Sequence, residues 1–262
     1  VSRNVYITFS GAPYEATTAE IVKRGPSMGA DAVWVYDDRW LIHTEFYRLN
    51  RKFWDHPHKR GFGWYIWKPY IIMHALSRLD PGDCVLYTDA DTYPLAYFGN
   101  LFHICRRDGG IMLFASENHW QHQWCKRDCF ITMGMDSQPV AGHLAQAGVA
   151  RFMVFEKGPW AADQFLMEWL TYCVNSRANT FDPSQYGEER PGFIEHRAEQ
   201  AIMTNLAYKY GLRLYREACG AGESIDRDRH LYPQLFVQVD VPGEKVSTEP
   251  LGSSFADVPY PC

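Results

Sequence analysis

Apolar and polar positions change their period several times along the chain. RNVYITF, residues 3–9, predicts a first strand, and the SGAP after it a turn. Residues 15–28 predict a helix ending near Gly29, AVWVY (32–36) a second strand, and residues 40–54 a mixed helix. Strand, helix, strand at this spacing is a βαβ unit and implies a largely parallel sheet. From Pro69 onward, Ile71, Ile72, Ala75, Leu76 and Leu79 form one helical stripe, with Pro69 in the first turn, where its missing N–H costs little. DPGD then predicts a turn, CVLY a short central strand, IMLFA (111–115) another strand, and residues 130–133 a further short one. Phe165, Leu166, Trp169, Leu170 and Cys173 recur on one side of a helix over 161–175. The polar stretch 176–193 predicts a long loop over a cleft. A helix over 197–210 turns Ala201, Ile202, Leu206 and Tyr210 inward, and GLRLY predicts an edge strand. From residue 219 Gly, Pro and charge dominate, with LFVQVDV as one possible strand. The pattern is that of an α/β protein, one domain over 1–262 with an irregular C-terminal part.

Composition narrows the function classes. The 262 residues are 46% apolar and 22% charged, the balance of a soluble globular protein. Lys and Arg total 26 against 31 Asp and Glu, a formal charge of −5, which gives no electrostatic case for nucleic acid; basic runs such as Arg51-Lys52 and Lys59-Arg60 are short. No run of apolar residues is long enough to span a membrane. The N-terminus enters VYITF without a signal peptide's order of charged, apolar and small residues. Seven scattered cysteines, an odd number, fit reduced thiols and a cytoplasmic setting. Nine Trp, sixteen Tyr and fifteen Phe supply mainly core, and some could stack on ring-shaped ligands.

One stretch carries chemistry. In VLYTDADTYPL, residues 85–95, a buried strand runs into Asp89 and Asp91. Ligands of open α/β sheets lie at the carboxyl ends of strands. Carboxylates two residues apart in extended chain project to one side and can hold a hard divalent cation. The plainer reading is a polar strand end whose acids cap nearby backbone, and spacing alone leaves both open.

The block GFGWYIWKPYIIMHALSRLDPGDCVLYTDAD resembles a family of small, mostly bacterial glycosyltransferases of the GT-A fold, in which a WKPY segment precedes a strand with a DxD-like motif. The likeness extends through VYITF, KRDCFITMGMD, ADQFLMEWL and EHRAEQAIMTNLAYKYG, over roughly residues 3–215. It implies a single Rossmann-like domain, with a nucleotide-binding half over about 1–115, a sugar- and acceptor-binding half over 116–218, and a C-terminal extension over 219–262. The implied activity is transfer of a sugar from a nucleotide diphosphate sugar to the hydroxyl of a glycan or other acceptor. The implied cofactor is Mn2+ or Mg2+. Asp91 would be the direct metal ligand, and Asp89 would reach the ribose or the metal through water. Many relatives carry DAG here, and the full DAD favours a metal. His196 matches a late histidine that supplies a third metal contact, which also gives a slight preference for a retaining reaction. The family pattern H-R-x-D-Q has Glu199 in place of its Asp, which leaves the role of Glu199 open, and Gln200 would meet a sugar hydroxyl. Thr8, Phe9 and Ser10 would border the nucleotide.

Further candidates are weighed against plainer roles. Lys68, at the mouth of a helix, suits a phosphate, or else forms an ion pair with Asp89 or Asp91. Asp128 is a candidate for the sugar pocket or one half of an ion pair with Arg127; Asp163 is either a first-turn acid or a donor or acceptor contact. Trp67 and Tyr70 are expected to pack. Gly61 and Gly63 form GFG, which is not a dinucleotide fingerprint. His119, His122, Cys125 and Cys129 are too closely spaced to surround one zinc ion. The rival functions are a metal-dependent nucleotidyltransferase, for which SGAPYE is a poor phosphate loop, and a non-catalytic sugar- or nucleotide-binding protein.

Overall fold

The computed structural model describes residues 2–55, 61–137, 139–142, 146–220 and 234–239. Lys59-Arg60, Cys262 and most of the expected C-terminal extension lie outside the described residues. The chain opens with β1 (Asn4–Ser10), α1 (Glu15–Arg24) and β2 (Ala32–Asp37), so the βαβ unit forms as expected. A 3-10 turn, Gly25–Met28, follows α1 and ends at Gly29, whose φ of 127° belongs to glycine. Where one mixed helix was expected, three short ones form: α2 (Asp38–Leu41), α3 (Glu45–Leu49) and α4 (Arg51–Trp54). The Asp37 side chain caps the first by accepting from Trp40 N–H, and the Thr44 side chain restarts the chain as α3 by accepting from Tyr47 N–H. α5 (Gly61–Trp64) is a bent turn leading into α6 (Trp67–Leu76), β3 (Cys84–Asp89) and β4 (Thr92–Pro94). Next come α7 (Gly99–Arg107), β5 (Ile111–Trp120), α8 (Gln121–Trp124) and α9 (Arg127–Thr132). The chain continues through β6 (Gln146–Glu156), α10 (Trp160–Cys173), α11 (Ser176–Asn179) and α12 (Ala198–Lys209) to β7 (Leu214–Arg216), β8 (Cys219–Gly220) and β9 (Phe236–Gln238).

Six strands form the main sheet in the order β2-β1-β3-β6-β5-β7. β1 is parallel to β2 and β3, β7 is parallel to β5, and β6 is antiparallel to both β3 and β5. The sheet is therefore largely parallel, as expected, but mixed: five strands point one way and β6 the other. This is a Rossmann-like α/β arrangement with an irregular C-terminal region. GLRLY takes the edge, as β7.

Two readings are corrected. Residues 130–133 are not a strand; they fall in α9 and the turn after it, because a short apolar run has no period of its own. The strand β6 was not foreseen, nor was α7. Strands buried on both faces lose the alternation that marks a strand. Val5, Val85, Leu113, Met153 and Phe155 pack on one face with Ile72 of α6, Trp169 of α10 and Ile202 of α12. Tyr6, Leu86, Phe114, Phe152 and Val154 pack on the other, with Leu101 and Phe102 of α7.

The last strands make a second sheet, β4-β9-β8. β9 lies antiparallel to β4, directly after the DAD stretch, and Val239 N–H donates to Asp91 O at 2.9 Å. Residues 235–239 thus return to the strand end that carries the aspartates. Six described cysteines are free and buried. Among the described residues no helix is long and apolar enough to cross a membrane.

In the turn that delivers α6, Gly63 has φ 57°, and a Cβ there would lie 2.0 Å from the Trp54 ring. Gly63→Ala is expected to cost about 1–3 kcal/mol in urea unfolding, from strained backbone plus the clash. An unchanged midpoint would show that the turn relaxes freely.

Candidate active site

Lys68 lies in the first turn of α6 and is 2% exposed. Its Nζ sits 2.9 Å from Ala150 O, 2.8 Å from Glu199 Oε1 and 3.0 Å from Asp89 Oδ1. An ammonium has three N–H donors, and here three oxygens from β6, α12 and β3 face them. Of the two roles expected for Lys68, phosphate contact or ion pair, the structure shows the ion pair with Asp89. Burial works against its charge, but Asp89 and Glu199 outweigh burial and hold its pKa above the ordinary lysine value. With two carboxylates sharing one ammonium, the more deeply buried acid is left under-neutralised. Burial pushes Glu199 up to about 7, against the pull of Lys68.

Asp89 ends β3. Its odd position places it on the face of Val85 and Tyr87, toward α6 and α12. The Tyr87 hydroxyl donates to it, and about a third of its side chain stays exposed. Asp91 accepts from Thr92 Oγ1 at 2.8 Å and from Gln238 Nε2 at 3.0 Å. Burial, and then the negative charge of Asp89, raise the Asp91 pKa. Both acids line a polar cavity of about 220 Å³ at the carboxyl edge of the parallel strands. Lys68, Glu199 and Gln200 line it too, with Tyr65, Phe181 and Ala150. Arg151, Arg197 and Gln238 complete the polar wall.

Two mutually repelling carboxylates on one cavity are a donor set that fits a hard divalent cation. Among the described residues no group of three His, Cys, Asp or Glu is placed to hold an ion. His196 borders the cavity, yet its Nδ1 accepts from Lys126 N–H at 3.2 Å and its Nε2–H donates to Ala178 O at 2.8 Å. Burial, and then the charge of Lys126, lower its pKa to about 3. This neutral imidazole, engaged at both nitrogens, pins the chain between α11 and α12, at the position where the resemblance implies a third metal contact.

Other candidates sit elsewhere. Asp128 is 1% exposed and accepts from the N–H groups of Gln185 and Tyr186 at 2.8–3.0 Å. Lys126 beside it donates to Thr180 O at 2.6 Å. The KRD stretch therefore fastens the loop of residues 180–190, whose Phe181 forms a cavity wall. Asp163 stays in the first turn of α10 and does not line the cavity. Thr8, Phe9 and Ser10 do not line it either. Phe9 stacks on Trp67 at 4.0 Å, Ser10 bonds Thr18, and Thr8 Oγ1 is buried with no hydrogen-bond partner among the described residues. Tyr70 packs on Phe46 at 4.2 Å.

Arg151, Gln238 and Tyr65 were not anticipated. Arg151 follows from β6: Thr88 pairs with Phe152, so one step further along the antiparallel register Arg151 comes level with Asp89. Reading QAGVARFMVFE as a doubly buried strand would have found it.

No family model and no curated protein matches the chain. Among solved structures it is similar to mouse xyloside xylosyltransferase 1 in its apo form, at 9% identity and a TM-score of 0.48, over 92% of this chain and 98% of that one. It is also similar to the WbbM bifunctional glycosyltransferase, at 10% identity and 0.47, over 78% of this chain but only 37% of that one. A third is a glycosyltransferase involved in glycosylation of the major capsid of PBCV-1, at 14% identity and 0.42, over 91% and 95%.

Removing one partner of a buried ion pair strands the other, at about 3–5 kcal/mol. Lys68→Met is expected to lose about that much in urea unfolding; a loss below about 1 kcal/mol would refute its anchoring role. Glu199 gives a pH signature. Its folded pKa of about 7 lies above the unfolded value, so folded protein holds the extra proton and wild-type stability falls as pH rises from about 4.5 to 7. Gln at this position does not titrate. The stability of Glu199→Gln relative to wild type should therefore improve between pH 5 and pH 7, measured by denaturation at each pH. A constant difference would place the Glu199 pKa near its ordinary value.

Proposed function

We propose that this cavity binds a nucleotide diphosphate sugar together with Mn2+ or Mg2+, and that the protein transfers the sugar to an acceptor hydroxyl. One observation carries the reading. WKPY, DAD and EHRAEQ, the stretches on which the glycosyltransferase resemblance rests, meet at one polar cavity at the carboxyl edge of the sheet. In this reading residues 1–115 serve the nucleotide, residues 116–218 serve the sugar and acceptor, and the later extension contributes Gln238.

Asp89 and Asp91 would hold the cation, which when bound supplies positive charge against the departing diphosphate. Lys68 holds Asp89 aimed at the cavity. Gln238 and Thr92 fix the orientation of Asp91. Gln200, half-buried in the wall, offers an amide to a sugar hydroxyl. Glu199 positions Lys68. A retaining course is favoured, because the carboxylates lining the cavity among the described residues are committed to Lys68 or to the cation. None stands apart to deprotonate the acceptor as an inverting reaction needs.

A panel of nucleotide sugars with Mn2+ tests this. At least one should raise the melting temperature and undergo slow hydrolysis that EDTA abolishes. Asp91→Asn should lower that hydrolysis by about 10²-fold or more. A donor that binds with no turnover under any metal would instead mark a non-catalytic binding protein. The anomeric configuration of the product, read by NMR, should match that of the donor.

A further inference from the structure

The three cations of the cavity wall are not equivalent. Lys68 has its donors on Ala150, Asp89 and Glu199. Arg151 donates to Gln238 Oε1 and lies 3.4 Å from Glu217. Arg197 is held from one side only. Its N–H donates to Trp124 O at 3.0 Å, its Nε lies 3.0 Å from Glu195 Oε1, and its guanidinium stacks over Trp124 with Cζ 4.4 Å from the ring centroid. Neither Nη has a hydrogen-bond partner among the described residues, and 37% of the side chain remains exposed.

The backbone carrying Arg197 is fixed. Ile194 N–H donates to Gln123 O at 2.8 Å, His196 is pinned at both ring nitrogens, and Ala198 is held at φ 46°, a conformation that costs a non-glycine residue energy. The Trp124 stack and the Glu195 contact orient the planar guanidinium. Its two unpaired nitrogens form the fork that matches phosphate oxygens. Asp89 and Asp91, on the same cavity, would repel a bare diphosphate, so an anionic ligand needs such a cation beside them.

We propose that Arg197 is the diphosphate-binding residue, its two Nη nitrogens donating to phosphate oxygens of a nucleoside diphosphate in the cavity that Asp89 and Asp91 line. This rests on the nucleotide-sugar reading and assigns to Arg197 the contact that the sequence gives to Lys68.

Calorimetric titration of full-length wild type, Arg197→Gln and Arg197→Lys tests it, with inorganic pyrophosphate, UDP and GDP, each with Mn2+, and with Mn2+ alone. Arg197→Gln should weaken all three phosphate ligands by about 10- to 100-fold, more at low salt, with Mn2+ affinity unchanged. Arg197→Lys, which keeps the charge but loses the fork, should fall between; it also serves if the Gln variant fails to fold. Equal pyrophosphate affinity in Arg197→Gln and wild type would overturn the assignment, as would no pyrophosphate binding by wild type. A proportional loss of Mn2+ affinity would overturn it too, because the effect would then run through the aspartates. Arg197-dependent pyrophosphate binding in a wild type that hydrolyses no nucleotide sugar would leave this contact standing and remove the glycosyltransferase reading.

Discussion

The ammonium of Lys68 is the constraint on which the site depends. It is buried where a charge survives only if oxygens surround it, and those oxygens come from a strand end, a helix start and an antiparallel strand. α6, β3, β6 and α12 must therefore close on one point. Sequence separations of 82 and 131 residues are bridged there by single hydrogen bonds. The same contact sets the direction of Asp89 and loads Glu199 with the cost of sharing.

β6 is the second device. Because it runs against its neighbours, its early residues, Ala150 and Arg151, arrive at the carboxyl end of β3 instead of the far edge. The small sheet repeats the move with β9, which lays Gln238 against Asp91. The wall of the cavity is thus assembled from segments that enter it in opposite directions.

Around the cavity, carboxylates and cations are matched unevenly. Asp91 and Glu199 both have raised pKa values because burial outweighs their neutralisation. On the far side, KRD ties down the loop that contributes Phe181.

The sequence by itself determined the βαβ start, the α6 stripe, α10, α12 and the edge strand β7, because each shows a period, a turn signal or a cap within a dozen residues. It also determined that a buried strand runs out into the pair Asp89 and Asp91. Only the tertiary structure decided the roles of Lys68, His196 and Asp128. All three are polar residues that look functional in one dimension and turn out to hold distant backbone or side chains in place. It likewise decided that Arg151, Arg197 and Gln238 reach the cavity. A polar residue's partner is fixed by strand direction and register across the sheet, and local pattern carries no record of either.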